Sequence, residues 1–294
     1  MLAYIFMLGP FAYNIEGVMK RRFLLLLTAF VFTVSYSGCG AEWKYDPITD
    51  VNDLNGRTVA CNIGWETDYA LSGRSDLKVI RYDLIADMIM ALRFNKVDAV
   101  AVDELIMKSI LNGSTGVECV YPGFGTSGYT LYFNPDKEVL KDEFNEFLRK
   151  YKESPAYDDH LQRLSDYDGM DYTGPEIELT GTGKVLKVAY DAGAYPRAFA
   201  NADSDEPLGF DLEAIKYFAN ENDYRLVFYP SNYNDILFGL LAGIYDVGAG
   251  YLSDVYEYAV LERGLFTSEP LDRAELVFIQ KTEQDISVNT GDLD

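Results

Sequence analysis

Histidine occurs once in these 294 residues, cysteine three times and tryptophan twice. A single histidine, His160, excludes any metal site built on paired imidazoles and leaves no imidazole base beside a Ser or Cys nucleophile. Its surroundings, YDDHLQRL, read as an exposed helix. The sequence contains no HExxH, no phosphate-binding glycine loop and no GxSxG, and the cysteines lack zinc-type or redox-type spacing. The acidic string Asp203–Pro207 (DSDEP) reads as a turn, because a calcium loop needs a longer ligand pattern. Cations are also scarce, with 25 Lys and Arg against 47 Asp and Glu and a net charge of −22. A body this acidic has no basic footprint for displacing counterions from nucleic acid and disfavours adsorption to anionic lipid. The sequence therefore assigns no metal, no cofactor and no catalytic residue, and it points to binding rather than catalysis.

What is abundant is apolar and aromatic. Hydrophobic residues make up 48% and charged residues 24%, a globular composition. Tyrosine, present 23 times, offers apolar area with a polar tip, which suits a binding cleft. Near the amino terminus Lys20-Arg21-Arg22 precede the apolar run Phe23–Val34, followed by Ser35-Tyr36-Ser37-Gly38-Cys39. This is the layout of a secretory leader; the run is too short to span a bilayer, which takes about 20 apolar residues. Ser-Gly-Cys resembles the lipobox of bacterial lipoproteins, with Tyr36 where that motif usually has an aliphatic residue. The resemblance implies a signal peptide over 1–38 and a lipid on Cys39, with plain secretion or an uncleaved anchor as the alternatives. Met19, directly before the basic cluster, is a candidate start. Without residues 1–38 the remainder carries −24. An extracytoplasmic compartment would permit a Cys61–Cys119 disulfide, but both lie in apolar, strand-like segments, so buried free thiols stand as the alternative.

The chain reads as alternating strands and helices. TVACNIG, KVIRYD and KVDAVAVD are strand-like, and 84–94 has helical spacing closed by Asn95 in a left-handed cap. Residues 140–164 read as helix broken at Ser154-Pro155. Residues 171–184, rich in Gly and Thr, read as a linker. Beyond it VLKVAYD, RLVFYP, YDVGAGYL and AELVFIQ are strands, with helices over 211–220 and 234–242. The segment Met88–Asp103 (MIMALRFNKVDAVAVD) aligns without gaps to Ile236–Tyr251 (ILFGLLAGIYDVGAGY), at an offset of 148 residues. An offset this long suits two related lobes rather than a solenoid. The expected architecture is α/β and two-lobed, with mostly parallel sheets flanked by helices. The expected divisions are an α/β domain over 42–170, the linker 171–184, a second α/β domain over 185–281, and a polar tail over 282–294.

Ligands of open α/β sheets gather at the carboxyl ends of strands. That rule selects Asp103 after DAVAV, Asp191 and Tyr195 after VLKVAY, Ser253 and Asp254 after DVGAGYL, and Gly64, Trp65 and Thr67 after TVACNI. Each is equally a candidate helix cap or rim residue.

These stretches carry a resemblance. LKVAYD, Tyr195-Pro196 with Phe199, PLGFDLEAIKYFA, NYNDILFGLLAGIYDVGAG and FTSEPL resemble the first lobe of the family 3 extracellular solute-binding proteins, the polar amino acid receptors of ABC importers. DLNGRTVAC, ALRFNKVDAVAVDE and YTLYFNPDKEVLKDEFNEFLRKYKES resemble that family's second lobe. The lobes come in reversed order, as in a circular permutant or in a piece of a tandem receptor. The resemblance implies a periplasmic-binding-protein-like fold that closes on a small, polar, amino-acid-like solute and docks on a permease. It implies that Asp103 holds a ligand amino group and that Tyr195 and Tyr233 pack on the ligand, with Asp191 in the first strand's mouth. Two departures bear on the ligand. Tyr258 follows Glu257 where the family has the Arg that grips a carboxylate, and Gly64-Trp65 replaces a Gly-Ser/Thr anion contact. A tyrosine cannot supply the bidentate fork of a guanidinium. A sensory or degenerate binding module and a periplasmic dehydratase are the alternatives the resemblance leaves open.

Overall fold

The computed structural model describes residues 46–202 and 205–283. The leader, Cys39, most of the polar tail and the side chain of Tyr258 lie outside the described residues. No helix among the described residues is long and apolar enough to cross a membrane.

The chain runs through β1 (Thr58–Asn62), α1 (Glu66–Leu71), β2 (Lys78–Tyr82), α2 (Ile85–Arg93), β3 (Ala99–Asp103), α3 (Glu104–Gly113) and β4 (Val117–Tyr129). It continues through β5 (Tyr132–Phe133), α4 (Glu138–Tyr151), α5 (Pro155–Asp166), β6 (Val185–Asp191), β7 (Gly193–Ala194) and β8 (Ala198–Phe199). Next come α6 (Phe210–Glu221), β9 (Arg225–Ser231), α7 (Tyr233–Leu241), β10 (Val247–Ala249), α8 (Glu257–Glu262), β11 (Phe266–Thr267) and β12 (Asp272–Lys281). Two five-stranded sheets result, ordered β2-β1-β3-β12-β4 and β9-β6-β10-β5-β11. In each, three neighbouring strands run parallel, the fourth (β12 or β5) runs against them, and the edge strand beyond it (β4 or β11) pairs antiparallel with that fourth strand. The first sheet is the heart of an N-lobe and the second of a C-lobe.

The lobe boundaries differ from the sequence division. β12, expected with 185–281, pairs with β3 and β4 in the N-lobe sheet. β5, α4 and α5, expected with 42–170, belong to the C-lobe: β5 pairs with β10, and Phe144 and Leu148 of α4 pack in one cluster with Val188 and Phe218. The reason is a double crossing. β4 passes into β5 while β11 returns into β12, and the two passages lie side by side, with Ser268 N donating to Leu131 O (2.8 Å) and Leu271 N to Tyr129 O (2.6 Å).

Both faces of each sheet are apolar, as strands covered on two sides require. Along β3, Val100 and Val102 face one cluster and Ala99 and Ala101 the other; in β12, Val277 and Ile279 oppose Phe278 in the same alternation. The internal repeat has a structural counterpart. Asn95 (φ 54°) and Gly243 (φ 71°) both end their helices in the left-handed region. Lys96 N then donates to Ala91 O (2.9 Å), and Ile244 N to Gly239 O (2.8 Å). Three residues beyond each cap, Asp98 and Asp246 each clamp a neighbouring strand, β1 and β6. Asp98 Oδ2 accepts from Thr58 N (2.7 Å) and Asp246 Oδ2 from Lys187 N (2.9 Å), while the backbone N–H of each donates back to the same residue.

The stretch 171–184 has no helix or strand, yet it is strapped down. It connects α5 to β6 inside the C-lobe rather than joining the lobes. The Tyr172 hydroxyl donates to Glu213 Oε1 (2.7 Å), Ile177 is buried, and Thr180 N donates to Asn220 Oδ1 (2.9 Å). Cys61 and Cys119 are free thiols, and burial pushes their pKa values up to about 12 and about 11.

Candidate functional site

A cavity of about 260 Å³ opens between the two lobes, at the carboxyl ends of strands from both sheets. The N-lobe contributes Ile63, Gly64, Trp65 and Glu66, the turn from β1 into α1. The C-lobe contributes Asp191 at the end of β6, Tyr233 at the start of α7, Gly250 and Tyr251 beyond β10, and Tyr256 before α8. Contacts join the walls across the lobes. The Tyr256 hydroxyl donates to Gly64 O (2.7 Å), Tyr69 meets the Tyr256 ring edge-on at 4.9 Å, and Trp65 stacks with Tyr251 at 6.3 Å.

Of the residues expected from sequence, the structure brings Gly64, Trp65, Asp191 and Tyr233 to this cavity. Asp103, Tyr195, Ser253 and Thr67 are not among its lining residues. Asp103 is fully buried, and its Oδ1 accepts from Leu105 N (2.7 Å) and Ile106 N (3.1 Å), capping α3; its Oδ2 has no hydrogen-bond partner. Burial pushes the Asp103 carboxyl up from its ordinary value, against the pull of the capping amides and Arg197. Tyr195 pins the strap, donating to Met170 O (2.5 Å) and accepting from Tyr172 N (2.7 Å). Ser253 is buried against Ser127, with the two Oγ atoms 2.7 Å apart. Thr67 is buried within α1, behind the lining residues.

Sequence reasoning missed Glu66, Tyr251 and Tyr256. Glu66 is 3% exposed, and its Oε1 has no hydrogen-bond partner. Burial and the neighbouring Asp103 charge push its pKa up to about 8. Tyr251 holds the position that the internal repeat pairs with Asp103, a correspondence already legible in the alignment.

Behind the cavity lies a buried ionic network that the sequence did not suggest. Arg197, 1% exposed, gives Nη1 to Asp211 Oδ1 (2.9 Å) and Asp272 Oδ2 (2.7 Å), and Nη2 to Asp272 Oδ1 (2.5 Å). Its guanidinium lies 3.6 Å over the Tyr129 ring. His160, expected to be exposed, is 2% exposed and sits between Glu213 Oε2 (3.1 Å) and Asp272 Oδ2 (3.3 Å). Arg163 grips Glu213 through two bonds of 2.7 Å. Burial disfavours a charged His160, but its bonds to Asp272 and Glu213 overcome that and push its pKa up to about 9. Burial likewise opposes ionisation of Asp272, yet Arg197 and His160 hold its carboxyl well below the usual range. Among the described residues, no group of His, Cys, Asp and Glu is arranged to hold a metal ion.

Several solved structures are similar to this chain. The probable amino-acid ABC transporter extracellular-binding protein ytmK from Bacillus subtilis is 12% identical, with 81% of this chain and 90% of that one covered and a TM-score of 0.41. The VFT2 domain of Bordetella pertussis BvgS is 12% identical over 83% of this chain and 91% of that one, with a TM-score of 0.42. A variant of arginine-bound ArgBP from T. maritima is 14% identical over 80% and 92%, with a TM-score of 0.37. No family profile and no curated protein matches the sequence.

Proposed function

We propose that the protein is an extracytoplasmic receptor whose two lobes close on a small polar solute and present it to an ABC-type permease, with Cys39 as the lipid anchor. The observation that carries this reading is the cavity at the strand ends of both lobes, beside the double crossing. Strand ends place backbone and side-chain polar groups around a ligand without disturbing either sheet. Two adjacent crossing segments, Tyr129–Leu131 and Ser268–Asp272, allow a hinge with few torsions to change. The cavity volume corresponds to roughly nine waters at about 30 Å³ each, which suits a small solute. The reversed lobe order is read as a circular permutation, since each sheet is complete within one chain.

Thermal unfolding of the purified protein against amino acids, amines, small peptides and sugars tests the reading. A ligand at about 100 times its dissociation constant adds roughly 2.7 kcal/mol of stability. One class of solutes should raise the melting temperature and reduce the radius of gyration in X-ray scattering. A cooperative melt that no class of solute shifts would overturn the receptor reading.

A further inference from the structure

The chemistry of the cavity wall selects among solutes. The described lining residues include two carboxylates, Glu66 and Asp191, and four aromatic rings, Trp65, Tyr233, Tyr251 and Tyr256; none is Lys, Arg or His. Rings of this kind present negative faces, which attract a cation within about 6 Å. Those faces disfavour an anionic group. Resting on the receptor reading above, we propose that the cavity takes a small organic amine in its ammonium form, recognised through Glu66 and the aromatic wall, with no requirement for a carboxylate on the ligand.

Three observations converge on this assignment. First, Glu66 is a buried lining residue with an acceptor oxygen that no protein group satisfies. A buried acceptor left unmatched is costly, and an N–H-bearing cation supplies the missing donor with charge assistance. Second, the neighbouring buried cations are already engaged, while Arg263, which acts on Tyr233, is exposed and not among the lining residues. Arg197 and Arg163 are held by Asp211, Asp272 and Glu213, and His160 bridges the last two. With His160 protonated, three cations meet four carboxylates, since Arg163 also bonds Asp159, and Glu66 and Asp103 add to that acidic surplus. Arg197 is 1% exposed and does not line the cavity; both of its Nη atoms bond Asp211 and Asp272, and its Nε, which has no hydrogen-bond partner, is buried away from the wall. Third, Glu66 is pushed up to about 8 by burial and Asp103, so near neutral pH it carries a proton that a bound ammonium would displace. Arg197 opposes that shift, and the tyrosines facing Glu66 from Tyr129, Tyr251 and Tyr256 are themselves held protonated by burial.

Calorimetry on the full chain with four probes of similar length tests the proposal: cadaverine, L-lysine, 1,5-pentanediol and glutarate. Lysine is cadaverine with one added carboxylate, the diol is its neutral counterpart and glutarate its anionic one. Cadaverine should bind at least about tenfold tighter than lysine, with the diol and glutarate silent, and binding at pH 7 should release protons to the buffer. Glu66→Gln should weaken cadaverine by roughly 10- to 100-fold, the range expected for a charge-assisted bond, and abolish the proton release. Lysine binding as tightly as cadaverine, a response to glutarate, or stabilisation by sugars alone would overturn the amine assignment and leave the receptor standing. Silence toward these probes and toward the whole solute panel would overturn both.

Discussion

Asp272 stands at the first position of β12, where the chain re-enters the N-lobe, and there it receives Arg197 and His160 from the C-lobe. Removing its charge leaves a buried guanidinium with only Asp211, and breaking one side of a buried pair costs about 3–5 kcal/mol. Asp272→Asn should therefore lower the unfolding free energy by that amount, read from urea denaturation followed by tryptophan fluorescence. His160 adds a pH dependence. Its folded pKa of about 9 exceeds the ordinary 6.5, so its contribution is full below 6.5 and is lost as pH rises through 9. Glu66 acts in the same direction. With a folded pKa of about 8 against an ordinary 4.5, the folded state holds the extra proton in that window, and stability falls as pH climbs through it. Urea midpoints should decline from pH 6 to 9, and Glu66→Gln should flatten the part of that decline below pH 8. A midpoint that rises over this range would contradict both assignments.

At the scale of elements, the paired clamps of Asp98 and Asp246 explain why helix, turn and buried strand recur at one spacing. The carboxylate ties the loop before β3 or β10 to the neighbouring strand of the same sheet, β1 or β6, fixing the order of neighbours. Asp98→Ala or Asp246→Ala should each cost about 1–2 kcal/mol, the worth of a hydrogen bond to a charged acceptor, and the two losses should add because they lie in different lobes. Chemical denaturation of the two single variants and the double variant measures this. These motifs were legible in the sequence because they are local: apolar alternation, a left-handed cap and a following Asp all fall within sixteen residues. Trp65, Asp191 and Tyr233 were legible for a similar reason, since each follows a strand and the strand-end rule needs only local order. Asp103 and Ser253 obey the same rule, but each used its side chain on the protein, Asp103 as a helix cap and Ser253 against Ser127. The Arg197–Asp272–His160 network escaped because its members are brought together only by the double crossing, across separations such as the 112 residues between His160 and Asp272; Glu66 lay within the strand-end turn, but nothing in its local sequence marks its carboxylate as buried and unpartnered. A lone histidine among charged residues looks exposed until its partners arrive from elsewhere in the chain.

At the scale of the molecule, the crossing segments make the lobes interdependent. The N-lobe sheet takes β12 from beyond all the C-lobe strands, and the C-lobe sheet takes β5 from before residue 171, so neither the 42–170 nor the 185–281 segment contains a whole lobe. The strap over 171–184 closes the C-lobe from α5 to β6, and the contacts of Tyr172 and Ile177 make it a part of that lobe's packing.

The position of β4 also sets a timetable for synthesis. Among the described residues its one sheet neighbour is β12, which lies roughly 150 residues later in the chain. At about 5–20 residues per second, a ribosome takes on the order of ten seconds to produce that partner. Throughout this interval thirteen residues of strand, including Val117 and Val120, have no sheet neighbour. The nascent chain thus carries an open edge until its final strand emerges, and during that wait it depends on whatever keeps it from pairing with another copy of itself.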